Sequence, residues 1–263
     1  MSAASEAAVA SPATPSRPPV TTRRPSNVVS KVIMAVTGLL FGLFVLAQVG
    51  NLKVFTGAEH FDDYAHWLRT VLEALLPYEG LLWILRVVLL ASVLLHVWCA
   101  GVLTVRARRA RGPFRRKGLG WRSFPARTMP VTGVVLLAFI VFHILDLTTG
   151  TPPVGTADYQ PATNTESFAY ANLVASFERP AAAAIHVVAM LALGAHLAHG
   201  LWSAVNDLGV TGQRVRQMCL ALSGIVALVI MLANIAIPVA VQIGWCRERT
   251  RWCRRPRCTA FAG

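Results

Sequence analysis

Charge is what this chain has least of. Only 14% of its 263 residues are charged, and 12 residues are acidic. A soluble globular domain carries about 25% charged residues. With 55% apolar residues and a mean hydropathy of +0.54, a soluble globular fold is excluded. Cysteine is also scarce. Cys99, Cys219, Cys246, Cys253 and Cys258 show no metal-ligand spacing, and Cys99 and Cys219 read as small hydrophobes packed in apolar stretches. No apolar run precedes a small-residue cleavage site near the N-terminus, so a signal peptide is not expected. The net charge of +13 comes from clustered basic residues. It reflects topology, and no nucleic-acid partner is expected.

Long apolar runs are what the chain has instead. Five stretches, 29–50, 81–105, 128–150, 181–205 and 219–243, are each long enough to cross a bilayer as a helix. The expected fold is all-α, an integral membrane bundle of five transmembrane helices. Residues 1–28 are rich in Ala, Ser, Pro and Thr and carry Arg17, Arg23 and Arg24, which reads as a disordered basic arm. Residues 29–243 form the transmembrane domain. Residues 244–263 hold six arginines and three cysteines, an abrupt shift of composition. A frameshifted or read-through end is the preferred reading, ahead of a lipid-headgroup or partner contact.

Orientation follows from basic residues near the ends of the spans. The segment between the second and third spans carries Arg106, Arg108, Arg109, Arg111, Arg115, Arg116, Lys117, Arg122 and Arg127 and no acid. The segment after the first span sets Lys53 and Arg69 against Glu59, Asp62, Asp63, Glu73 and Glu79. The expected placement is the cytoplasmic membrane, with the N-terminus inside and the C-terminus outside.

Histidines then stand where water is absent. A polar ring at membrane depth needs a partner and marks a functional site. At about 1.5 Å per residue, His96 lies about 15 Å from Arg106 and His196 about 16 Å from Asp207. His143 lies about 24 Å from Arg127, and Gln48 about 25 Å from Lys31. His96 and His196 thus share one level in the cytoplasmic half, while His143 and Gln48 share an outer level. Two imidazoles at equal depth on different helices suit bis-histidine ligation of a b-type haem. The competing reading is histidines hydrogen-bonded between helices. At the outer level His143 stands alone on a haem, shares one with another ligand, or faces a quinone. His186, placed about 10 Å further out, is a conceivable substitute ligand. His199 reads as an interfacial polar residue. Arg86 and Asp146, also near the outer level, are expected to pair with each other or to position a haem propionate or a quinone, with snorkelling at a helix end as the alternative.

Four separated segments resemble one family. GNLKVFTGAEHFDDYAHWLR, WILRVVLLASVLLHV, FIVFHILDLTTG and ALGAHLAHGLWSA occur in order. They are similar to the cytochrome b membrane anchor of succinate dehydrogenase, in the five-helix single-anchor type that also serves some fumarate reductases. The resemblance covers residues 28–243. It implies two b haems stacked across the membrane, flavoprotein and iron–sulfur subunits docked on the cytoplasmic face, surrounding lipid, and electron exchange with quinone. It implies His96 and His196 as ligands of the inner haem and His143 as a ligand of the outer one. The chain departs from the pattern at VLAQVGNLKVF, where Gln48 stands in place of a histidine, with one residue fewer before Gly50. An amide binds iron weakly, so the second haem is expected to persist with altered ligation. The alternatives are the cytochrome b anchor of a hydrogenase or formate dehydrogenase, and a haem-free anchor or transporter.

Overall fold

The computed structural model describes residues 26–112, 124–210 and 212–245. The helices are α1 (Asn27–Ala47), α2 (Ala58–Thr70), α3 (Gly80–Arg111), α4 (Phe124–His143), α5 (Ala169–Phe177), α6 (Pro180–Asp207) and α7 (Gln213–Gln242). α1 tightens into a 3-10 helix over Gln48–Thr56, and α4 widens into a π turn over Ile144–Thr148. Five of these helices, α1, α3, α4, α6 and α7, are long and apolar enough to cross a membrane. The chain is an all-α, multi-pass membrane protein. α1 starts at Asn27, two residues inside the expected arm, because the Ser26 hydroxyl accepts from the Val29 N–H and caps the helix there. The rest of the expected arm and most of the expected tail, residues 1–25 and 246–263, lie outside the described residues.

Small residues set which helices approach. Lipid gives no hydrophobic drive between helices, so close backbone packing must hold them together. A Cβ on Gly42 of α1 would meet Leu197 and Leu201 of α6 at 3.6 Å. A Cβ on Gly194 of α6 would come within 2.7 Å of the Met231 sulfur of α7, so a larger residue there would have to displace that side chain. α6 is the central helix, packed on α1, α4 and α7, while α3 packs on α1. α3 and α4 have no comparable packing on each other. Four helices therefore form a U in the order α3, α1, α6, α4.

The two ends of the bundle differ. Lys31 donates to Asp207 at 2.9 Å and Arg106 to the Asn27 side chain at 2.7 Å. The start of α1 and the ends of α3 and α6 thus share one basic face. At the opposite end α2 and α5 form a cap. Their Phe61, Tyr170, Leu173 and Phe177 are buried with Val54 and with Ile237 and Val241 of α7. Asp62 accepts the Tyr170 N–H at 2.9 Å, tying the start of α5 to α2. Glu79 clamps α2 to α3, accepting from Arg69 at 3.0 Å and from Arg86 at 3.2 Å. These bonds hold Glu79 at φ 59°, a left-handed conformation uncommon outside glycine.

Candidate cofactor site

His96 of α3 and His196 of α6 meet inside the U. Their ring centroids are 6.5 Å apart, with the planes at 54°. Each ring is held from the neighbouring helix. Thr37 Oγ1 of α1 lies 3.0 Å from His96 Nδ1, and Thr132 Oγ1 of α4 lies 3.0 Å from His196 Nδ1. The hydroxyl protons are committed elsewhere. Thr37 donates to the Ile33 carbonyl at 2.7 Å, and Thr132 to the Met129 carbonyl at 3.1 Å. A hydroxyl whose proton is engaged offers its oxygen as an acceptor. Where the hydroxyl oxygens accept, each imidazole carries its proton on Nδ1 and presents a lone pair on Nε2. Glycine follows each threonine. A Cβ on Gly38 would touch His96 Cε1 at 3.5 Å, and one on Gly133 would touch His196 Cε1 at 3.6 Å. Both rings thus lie directly over bare backbone.

Two neutral imidazoles with free Nε2 atoms are a donor set for one metal held between them. With metal–imidazole bonds of about 2.0–2.1 Å, rings on opposite sides of one metal have centroids about 6.4 Å apart. The observed 6.5 Å fits that spacing. Among the described residues no group of three or more His, Cys, Asp or Glu converges on a metal position. The site is a pair.

At the second level His143 stands beside His186, the conceivable substitute, and not beside Gln48. His143 Nδ1 lies 3.5 Å from His186 Nε2. The two rings are 5.7 Å apart, closer than the expected offset, and Arg179, at the start of α6, binds Asp146 at the end of α4. Gln48 begins the 3-10 helix, and its Oε1 accepts from Asn51 at 2.9 Å. Its amide is turned to its own segment.

The expected Arg86–Asp146 pair is also corrected. Arg86 bonds Glu79 and stacks over Trp83 at 4.8 Å. Asp146 is buried in the π turn, where it binds Arg179 and accepts from Ser176 at 2.5 Å. Arg179 also donates to the Val154 carbonyl at 2.6 Å. A carboxylate in apolar surroundings needs both a counter-charge and hydrogen bonds, and the start of α6 supplies them from nearer than α3 can.

The chain matched none of the family models, curated proteins or solved structures against which it was compared.

Its internal pattern is informative all the same. Val-Thr-Gly occurs at 36–38 on α1 and again at 131–133 on α4. Eleven residues after each threonine, three helical turns on, stand Gln48 and His143. Ten residues before His96 and His196 stand Arg86 and His186. The α1–α3 half and the α4–α6 half are thus two copies of one layout. Sequence reasoning missed Thr37, Thr132, Gly38 and Gly133, and this repeat was the signal that could have found them.

Proposed function

We propose that the chain is the membrane-anchor cytochrome b subunit of a succinate dehydrogenase. It carries electrons from an iron–sulfur subunit through haem b to a membrane quinone. The observation that carries this reading is the His96–His196 pair, spaced for one metal and with a threonine hydroxyl on each Nδ1. Haem, when bound there, supplies the one-electron couple that the polypeptide lacks. The residues of the chain do the rest. His96 and His196 offer Nε2 from opposite sides. Thr37 and Thr132 accept the Nδ1 protons, which fixes ring orientation and raises the basicity of the ligand nitrogens. Gly38 and Gly133 keep the space beside the rings clear. α1 and α6 approach closely at Gly42, beside Leu197 and Leu201.

The nine basic residues between the second and third spans support a cytoplasmic position for the basic face. That puts the His96–His196 level nearer the soluble flavoprotein and iron–sulfur partners, and the His143 level nearer the outside of the cytoplasmic membrane. An apolar cavity of about 220 Å³ between α1, α6 and α7, lined by residues such as Leu43, Leu197 and Leu222, suits a lipid or quinone tail.

The test is the visible spectrum and the turnover of the complex purified with its partner subunits. Soret and α bands with succinate-dependent quinone reduction are expected. Absence of both bands would leave a haem-free anchor. Bands reduced by hydrogen or formate but not by succinate would assign the chain to another membrane oxidoreductase.

A further inference from the structure

The groove between α1, α6 and α7 is defined by what it does not offer. Its cavity of about 220 Å³ is lined by aliphatic side chains together with Gly42, Cys219 and Ser223. The Ser223 hydroxyl is committed to its own helix, donating to the Cys219 carbonyl at 2.7 Å. A thiol is a weak donor. The groove therefore has no free strong donor for a quinone carbonyl. Pockets for ring-bearing ligands usually run to about 300–1,000 Å³ and hold a few placed polar groups. A smaller groove without them suits a single hydrocarbon chain.

The length and position of the groove point to a lipid. Its lining runs from Leu197 to Val205 on α6 and from Cys219 to Val226 on α7. Eight helical residues cover about 12 Å. One leaflet of a hydrocarbon core about 30 Å thick is about 15 Å deep. Val205 is two residues from Asp207, which bonds Lys31 on the basic face. The groove thus starts at that face and runs inward. α1 and α7 both pack on α6 but have little contact with each other, so a chain in the groove would bridge them.

A cation stands at the basic end of the groove. Arg216 lies one turn before Cys219, on the same side of α7. Its guanidinium sits over the Trp202 ring of α6 at 5.4 Å. Among the described residues it pairs with no carboxylate. Lys31 and Asp207 neutralise each other. Arg214 adds a second positive charge in the same turn, and the first turn of α7 holds no acid. Tryptophan beside arginine at a helix end matches the level of lipid headgroups. A guanidinium presents paired donors to phosphate oxygens.

We propose that the groove and Arg216 form a site for one anionic phospholipid of the leaflet at the basic face. One acyl chain lies between α1, α6 and α7, and Arg216 binds the phosphate. The surplus charge of Arg214 and Arg216 favours a headgroup with net negative charge over a zwitterionic one. The site is separate from both histidine pairs and does not depend on the haem reading.

The test uses the full chain purified from the membrane in mild detergent, with the subunits that accompany it, and stripped of lipid by repeated exchange. Phosphatidylglycerol or phosphatidylcholine with the same acyl chains is titrated in. Native mass spectrometry counts bound lipid per chain. The expected result is one tightly held phosphatidylglycerol, bound about fivefold or more tightly than phosphatidylcholine. Arg216→Gln should weaken phosphatidylglycerol about fivefold, the effect of one basic residue at a charged surface. Arg216→Lys should restore most of that. Cys219→Phe fills the groove and should remove the tight lipid with Arg216 still present. Gly42→Leu fills it from the opposite wall, where a Cβ fits at 3.6 Å from Leu197 and Leu201, and serves if Cys219→Phe does not fold. Equal affinity for the two lipids, or unchanged binding in Arg216→Gln, would overturn the headgroup contact. A tight lipid that survives groove filling would overturn the chain site. Displacement of the lipid by an equal concentration of decylubiquinone would overturn the proposal in favour of a quinone tail.

Discussion

Two threonine hydroxyls decide which nitrogen each of two histidines presents. Thr37 and Thr132 each have their proton on a backbone carbonyl and their oxygen on an imidazole Nδ1. Removing that acceptor frees the ring to rotate and to take the other tautomer. Loss of such an outer partner typically lowers metal affinity about 10–100-fold. Thr37→Val and Thr132→Val, close in shape but without the acceptor, are each expected to weaken retention of the His96–His196 haem to that extent. Thr→Ser at either site should restore it. Haem content after dilution and gel filtration measures the effect, and full retention in both valine variants would contradict the role. The histidines themselves were legible in the sequence, because helical rise converts residue counts into depth. The threonines were not. A hydroxyl that bonds its own helix is common in membrane spans, and depth says nothing about which way a side chain faces. The same blindness to direction produced the expected Arg86–Asp146 pair. Both charges were at the right level, but Glu79 and Arg179 were nearer partners.

At the scale of elements, the five long helices follow directly from their apolar runs, and the cap does not. α2, with Glu59, Asp62 and Asp63 among its 13 residues, and the nine-residue α5 are not apolar runs long enough to stand out as spans. The helical signal in α2 is the four-residue step from Phe61 to Ala65, the two positions it buries. Asp62 links these two helices through the Tyr170 N–H. Burial pushes its carboxyl above the ordinary 3.8, outweighing the Tyr170 and Ala169 N–H groups, which draw it down, and nearby Asp63 adds to the rise. A raised value means that the folded cap holds the proton more tightly than the unfolded chain does. The stability this contributes is fully present below the ordinary value and is lost as pH rises through the raised one. Asp62→Asn keeps an acceptor for Tyr170 and cannot ionise. Its melting temperature in detergent is expected to exceed the parent's near neutral pH, with the gap closing as the pH falls towards 3.8. A gap of constant size across that range would show that the carboxyl charge is not the cause.

At the scale of the molecule, the U is the functional feature. Its arms are α3 and α4, its floor α1 and α6, and the His96 and His196 imidazoles meet inside it, nearer the basic face. The opposite end lies beneath a cap in which Phe177 reaches the His186 ring. The first pair takes one histidine from each half, His96 on α3 and His196 on α6, while His143 and His186 both belong to the second half. The central claim is that His96 and His196 hold one haem between them. The most direct measurement is the haem-to-polypeptide ratio, with the electron paramagnetic resonance spectrum of the oxidised complex, for the parent, His96→Ala and His196→Ala. The expected result is a low-spin bis-imidazole signal in the parent that is absent from both variants, each with one haem fewer per chain. Full haem content and an unchanged low-spin signal in both variants would contradict the claim.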